Sequence, residues 1–187
     1  KVSADKAYVS DLYADEILIV NLNSNDITGS INTGSWIEKM VWVDDQIWAV
    51  DKTNNKIVVI DPLSDSVNDE IQLSEGAGGL LEDASGNIWI LCDGGWSGDE
   101  FAVLYSIDKN TKEILSEYTF SEDKSPSLLR MDGTGEYIYF HEEGVRMMSI
   151  SATALPLDIL IETEDIGVYG LDINPINGDI YICDALY

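Results

Sequence analysis

Acidic, aromatic and amide side chains gather in two sets of short segments, and chemistry would sit there. One set follows a series of apolar-aromatic-apolar triplets: Asp11, Leu12 and Tyr13; Asp51, Lys52 and Asn54; Asp93, Trp96, Asp99 and Phe101; His141 and Glu142; Asp184 and Tyr187. The other set precedes the segments that lead into the triplets and holds Trp36, Lys124 and Tyr169. Aromatic faces cover apolar ligand surface, and Asp and Asn oxygens accept ligand N–H groups. Together they suit a wide, amphipathic, amide-bearing molecule. The same residues also fit a plainer description, as polar turn residues and exposed aromatics at strand ends. The stretch from Asp93 to Phe101 argues most for binding. It is longer than its counterparts and contains Gly94, Gly95, Trp96 and Gly98, which strand packing does not require.

Other chemistries find little support. His141 is the single histidine, and it has no cysteine or second histidine nearby to complete a zinc set. Asp51-Lys52-Thr53-Asn54-Asn55 offers oxygens but lacks the alternating spacing and glycine of a calcium loop. No glycine-rich phosphate loop, nucleophile elbow or serine triad is present, and Asp93-Gly94-Gly95 reads as a turn. The expectation is a protein that binds and does not catalyse, with no metal site. The two cysteines, Cys92 and Cys183, end similar strands two repeats apart. They read as small buried apolar residues at equivalent, well-separated places, without a disulfide.

The background charge narrows the partners. Thirty-five acids against 10 bases leave a formal net charge of −25. Such a field repels nucleic acid and anionic membrane surfaces. It favours solubility, or a cationic or neutral ligand. With 45% hydrophobic residues the chain can bury a core, yet no run of eighteen apolar residues could span a membrane. The opening Lys1-Val2-Ser3-Ala4-Asp5-Lys6 is not a signal peptide.

The elements that carry these residues repeat. The triplets are Ala7-Tyr8-Val9, Ile47-Trp48-Ala49, Ile88-Trp89-Ile90, Ile138-Tyr139-Phe140 and Ile180-Tyr181-Ile182, with central aromatics 40, 41, 50 and 42 residues apart. After each of the first four comes a second apolar run: Ile17 to Asn21, Ile57 to Asp61, Leu104 to Asp108 and Val145 to Ser149. Third strands are expected at Ile27–Ile31, Val67–Leu73, Ile114–Phe120 and Leu157–Ile161. Strands leading into the triplets are expected at Trp36–Val43, Ala77–Glu82, Ser127–Met131 and Val168–Ile173. Tight turns such as Asp83-Ala84-Ser85-Gly86 join the latter to the triplets, with glycine supplying a positive φ. Four short antiparallel strands at a period near forty describe one β-propeller blade.

The expected organisation is an all-β propeller segment: a partial blade over 1–33, blades over 34–73, 74–120 and 121–162, and a partial blade over 163–187. The strand before each triplet would line the central axis. The candidate loops would then share one rim. Such an arc leaves unpaired edges, which implies a segment of a longer ring of about seven blades. The central aromatics Tyr8, Trp48, Trp89, Tyr139 and Tyr181 are expected in the core between blades, and His141 in a surface or capping role.

The ordered set of segments resembles a known family. Ala7-Tyr8-Val9-Ser10-Asp11-Leu12-Tyr13, Ile17 to Asn21, Asp26-Ile27-Thr28-Gly29, Leu91-Cys92-Asp93-Gly94-Gly95-Trp96 and Leu104 to Asp108 are similar to the YncE-like, DUF5074-type seven-bladed surface propellers of Bacteroidetes. So are Tyr169 to Pro175 and Gly178 to Ala185. Some members are lipoproteins that capture cobalamin and lid the outer-membrane vitamin B12 transporter, a TonB-dependent transporter. The resemblance therefore implies a lipid-anchored protein on the extracellular face of the outer membrane, its anchor lying upstream. It also implies cobalamin or another corrinoid as ligand, that transporter as partner, and no nucleic acid. Asp11, Tyr13, Trp36, Asp93, Trp96, Asp99, Phe101, His141, Tyr169, Asp184 and Tyr187 are the residues expected to meet the ligand. A scaffold that binds another surface protein or a glycan would use the same fold. A lactonase or quinoprotein-like propeller would need carboxylates where the axial strands begin, but those begin with Trp36, Ala77, Ser127 and Val168.

Overall fold

The computed structural model describes residues 5–95, 100–164 and 167–185. Among the described residues it contains 17 strands and no helix. The chain divides into two compact units, Lys1–Gly78 and Gly79–Tyr187.

In the first unit, β1 (Lys6–Asp11), β2 (Glu16–Asn21) and β3 (Asp26–Asn32) form one antiparallel sheet. A second is built from β4 (Ile37–Val43), β5 (Gln46–Asp51), β6 (Lys56–Asp61) and β7 (Ser66–Gln72). Tyr8, Ile17, Ile19 and Ile31 from the first sheet pack with Ile37, Ile47, Ala49, Val58 and Ile60 from the second. All four central residues of β5, Ile47 to Val50, are buried. A strand buried on both faces has no polar side to show, which explains its unbroken apolar run.

The second unit repeats the plan. Here β8 (Ala77–Glu82), β9 (Asn87–Cys92), β10 (Val103–Asp108) and β11 (Ile114–Thr119) form one sheet. Another follows from β12 (Ser127–Met131), β13 (Tyr137–His141), β14 (Gly144–Ser149) and β15 (Ile161–Glu162), and then comes a pair, β16 (Val168–Ile173) and β17 (Ile180–Asp184). Trp89, Leu91, Leu104 and Phe120 pack with Leu129, Ile138, Phe140 and Met148. On the other side of β13, Tyr139 and Val145 pack with Leu171 and Ile173. Strand order follows chain order in every sheet, and within each unit neighbouring sheets pack face to face, as propeller blades do. The chain is a β-propeller segment.

The repeat extends to register. Tyr8 stands opposite Ile19, Trp48 opposite Val59, Trp89 opposite Ser106 and Tyr139 opposite Met147, each within the pairing of triplet strand and following strand. A register shift interrupts the next pairing at Ile19/Val20, Val59/Ile60 and Ser106/Ile107, equivalent places in three sheets. Such a recurring bulge twists the outer strand. The outer strands β3, β7 and β11 are largely exposed, and Asp26, Asp69, Glu70 and Glu117 lie on them.

Three expectations are corrected. The third strand of the fourth repeat is not Leu157–Ile161 but only Ile161–Glu162, because Leu157 to Leu160 run outside the sheet and Leu157 is exposed. Tyr181 is not core but 56% exposed: Ile180 and Ile182 turn toward the Tyr139 cluster, and no described sheet covers the opposite face. Cys183 is exposed while Cys92 is buried. Cys92 lies three residues past its triplet aromatic and Cys183 only two. Cys183 thus shares the uncovered face of Tyr181, whereas β9, which carries Cys92, is buried on both faces. Both are free thiols, as expected.

Candidate functional site

The loops after the triplet strands share a local construction. Asp11 Oδ1 accepts the backbone N–H of Tyr13 at 2.9 Å and of Ala14 at 3.2 Å. Asp51, fully buried, accepts Asn54 N–H at 2.9 Å and the Asn54 side-chain amide at 2.8 Å. Asp93 Oδ1 accepts Gly95 N–H at 2.9 Å. Each carboxylate holds its own turn, the usual work of an Asp in this place. Directly before the following strand, Asp15, Asn55 and Glu143 adopt left-handed φ values of 54°, 54° and 57°. These turns are therefore held by their own side chains, and Asp11 and Asp93 lend an oxygen each to holding them.

The aromatics beside them are not enclosed. In the first unit Tyr13 is 100% exposed and Trp36 47% exposed. Trp36 N–H donates to Thr53 Oγ1 at 3.2 Å, and its carbonyl accepts Lys52 N–H at 3.0 Å. The loop entering β4 is thus tied to the loop leaving β5, so both candidate loop sets meet there. In the second unit Phe101 is half exposed and Tyr169 is 79% exposed. Asp184 Oδ1 accepts Gly167 N–H at 3.2 Å, which brings Asp184 beside the start of β16 next to Tyr169. His141 Nε2 lies 3.0 Å from Thr163 Oγ1. Burial lowers the imidazole pKa, against the opposing charge of Glu142. Trp96, Asp99 and Tyr187 lie outside the described residues.

Glu142, the next residue in the chain, lines a cleft of about 250 Å³ whose lining residues all belong to the second unit. One wall is ionic. Arg146 Nε donates to Glu142 Oε2 at 2.7 Å and to the Glu142 carbonyl at 3.1 Å, and Arg146 Nη1 donates to the Leu157 carbonyl at 2.8 Å. Lys124 Nζ stands 2.6 Å from Glu143 and 3.1 Å from Glu142 Oε1. These two carboxylates, Glu143 foremost, raise the lysine pKa. The other wall is Phe120, Leu155, Pro156 and Leu157.

Glu142 and Lys124 are among the loop residues selected from sequence, but Arg146 and the apolar wall are not. A signal existed. Aligned by strand, Arg146 takes the place of Leu18, Val58 and Tyr105 in the other copies. A charge at an otherwise apolar repeat position marks a local partner. Glu142 likewise takes the place of Asp11 and Asp51, three residues past the aromatic. Its side chain is one methylene longer, and it reaches Arg146 where those aspartates cap a turn.

The family model described as "Domain of unknown function (DUF5074)" matches residues 1–185. Among solved structures, the chain is similar to Kuenenia stuttgartiensis hydrazine synthase, with a TM-score of 0.71 at 14% identity over 85% of this chain and 47% of that one. It is also similar to the β-propeller domain of Myceliophteria thermophila Cps50 (Swd1), with a TM-score of 0.73 at 11% identity over 98% of this chain and 64% of that one. The C-terminal WD40 domain of Sif2 gives a TM-score of 0.76 at 10% identity over 97% and 52%. At these identities the likeness concerns the fold. The chain spans less than two thirds of each of these structures.

Proposed function

We propose that this chain, which belongs to the DUF5074 family, is part of a non-enzymatic capture propeller at the cell surface, one that takes cobalamin or a related corrinoid on its loop rim for outer-membrane uptake. The observation that carries the reading is the contrast between two aromatic sets. Tyr8, Trp48, Trp89 and Tyr139 recur at the blade period and are buried, whereas Tyr13, Trp36, Phe101 and Tyr169 lie in or beside the rim loops and stay exposed. Exposed aromatics are available for stacking, and the hydrogen-bonded turns beside Tyr13 and Trp36 limit the entropy lost on binding. A corrin ring is a broad apolar disc fringed with amides. Ring faces such as Trp36 would cover the disc, and remaining carboxylate and carbonyl oxygens would accept the amide N–H groups. A neutral ligand also avoids repulsion from the strongly acidic protein. Uptake would require hand-over to an outer-membrane transporter as partner.

The test is direct. Full-length protein is mixed with cyanocobalamin and gel-filtered. Red absorbance co-eluting with protein supports capture, and Trp36→Ala and Tyr13→Ala should each reduce the bound fraction. No co-elution at micromolar concentration removes the corrinoid and leaves a scaffold for a protein or glycan.

A further inference from the structure

We infer that the outer edge of β14 is a docking site for an extended, basic peptide segment of a partner protein, which adds to the sheet as a strand. The inference does not rest on the corrinoid reading, since it draws on none of the rim aromatics.

In the three preceding sheets the strand after the triplet strand has a long partner on its outer side. Ile19 stands opposite Gly29, Val59 opposite Asp69 and Ser106 opposite Ser116. Met147 holds the same place in β14, opposite Tyr139, but β15 pairs only with Gly144 and Val145. Backbone groups alternate sides along a strand. The Val145 carbonyl accepts Leu160 N–H at 2.8 Å, and the Ser149 carbonyl accepts Ala152 N–H at 3.0 Å, both on the outer side. Met147, midway between them, turns its N–H and C=O to that side too, where no strand of the described residues pairs with it. The chain between Ala152 and Leu160 does not fill the place because it is drawn onto one face of the sheet. Buried Arg146 donates to the Pro156 and Leu157 carbonyls at 3.4 and 2.8 Å, and the Tyr118 hydroxyl donates to the Ala152 carbonyl at 2.7 Å. Met147 is left 39% exposed.

Open edges are ordinarily protected by charge. Strands β3, β7 and β11 carry Asp26, Asp69, Glu70 and Glu117. Strand β14 carries one charge, Arg146, and that side chain is turned in to Glu142. An unprotected edge pairs with the backbone of another extended segment. Charge selects which segment. Asp158 and Glu162, both exposed, lie on the stretch that returns to the sheet at Val145. The chain as a whole carries −25. A strand bearing Lys or Arg is attracted there, and a second copy of this chain is repelled.

The probe is a dye-labelled hexapeptide of alternating lysine and valine, titrated with full-length protein and followed by fluorescence anisotropy. It should bind. Its fully N-methylated form, which has no amide N–H, and a glutamate–valine form should each bind about tenfold more weakly or not at all. Met147→Lys sets a like charge at the middle of the edge and should weaken binding about tenfold while melting near the wild-type temperature. Hydrogen exchange locates the contact: the Met147 amide should exchange faster than that of Val59 in the unbound protein, and bound peptide should slow it. Equal binding of the N-methylated or glutamate peptide, no binding up to millimolar concentration, or a Met147 amide unchanged by the peptide would overturn the proposal. So would dimerisation of the protein that Met147→Lys abolishes, which would give the edge to a second copy.

Discussion

Asp83 Oδ2 accepts the indole N–H of Trp89 at 2.7 Å, and both side chains are buried. The other oxygen of Asp83 accepts Ser85 N–H at 2.8 Å and Asn87 N–H at 2.9 Å. One carboxylate therefore shapes the turn from β8 to β9 and anchors the aromatic at the centre of the blade. Replacing it leaves a buried indole N–H without its acceptor. Asp83→Ala should lower stability by about 3 kcal/mol, the range for a buried charge-assisted bond. Asp83→Asn, which retains an acceptor, should lose less. Urea denaturation followed by tryptophan fluorescence measures both, and an unchanged midpoint for Asp83→Ala would remove the anchor role.

Tyr8 is tied across its unit to Asp65, which also binds Lys6. The phenol donates to Asp65 Oδ1 at 2.6 Å, and Lys6 Nζ to Asp65 Oδ2 at 2.7 Å. Burial, then the hydrogen bond and charge of Asp65, push the phenol pKa far above its ordinary value. The folded state thus holds this proton more tightly than the unfolded chain. The associated stability is complete below about pH 10 and is lost as pH rises from there toward the folded value. Tyr8→Phe should lose about 1 kcal/mol at neutral pH. The gap between the two proteins should close above about pH 10, and a constant gap would show that the phenol does not titrate in this way.

Two glycines in strands should respond oppositely to alanine. At Gly144 in β14, an added methyl would overlap the Ile159 side chain and lie 2.8 Å from the Ile161 carbonyl. At Gly29 in β3 the nearest atom would be Ile19 Cδ1 at 3.6 Å, an ordinary contact. Gly144→Ala should cost about 2 kcal/mol through overpacking. Gly29→Ala should be neutral or gain up to about 1 kcal/mol, because it restricts the unfolded chain. Thermal melts of the two variants decide the matter, and equal effects would contradict the packing described around Gly144.

Much of this fold was legible because the triplet strands β5, β9 and β13 are covered on both faces, so Ile47-Trp48-Ala49, Ile88-Trp89-Ile90 and Ile138-Tyr139-Phe140 need no polar alternation. The same reasoning overreached at Tyr181, whose strand looks alike but has only one face covered by a described sheet. The outer strand of the fourth repeat was misplaced because edge strands are exposed and carry a weak pattern. Leu157 is apolar and yet exposed, so its type says nothing of its place. At the candidate rim, residue types in the loops were readable, but the engagement of Asp11 and Asp93 with backbone N–H groups was not. An acid that caps a turn and an acid that awaits a ligand have the same letter. The pairing of Glu142 with Arg146 depends on the short β13–β14 turn, which only a blade-by-blade alignment brings out.

His141 offers the cleanest check on the surroundings of that turn, because the chain has no other histidine and its ring protons report without overlap. Burial lowers the imidazole pKa and the Glu142 charge works against it, with burial the larger effect. In the unfolded chain the ring titrates near about pH 6.5. A folded pKa below that value means that protonation favours unfolding. The histidine's contribution is therefore present above about pH 6.5 and lost as pH falls through the folded pKa. NMR titration of the native protein should find a midpoint below the unfolded value. Lys124→Met takes one counter-charge from Glu142, leaves its field on the imidazole less compensated, and should move that midpoint upward. A wild-type midpoint at or above the unfolded value would mean that the carboxylate outweighs burial. The contact between His141 and Thr163 would then lie in a more open, more polar setting than the one described.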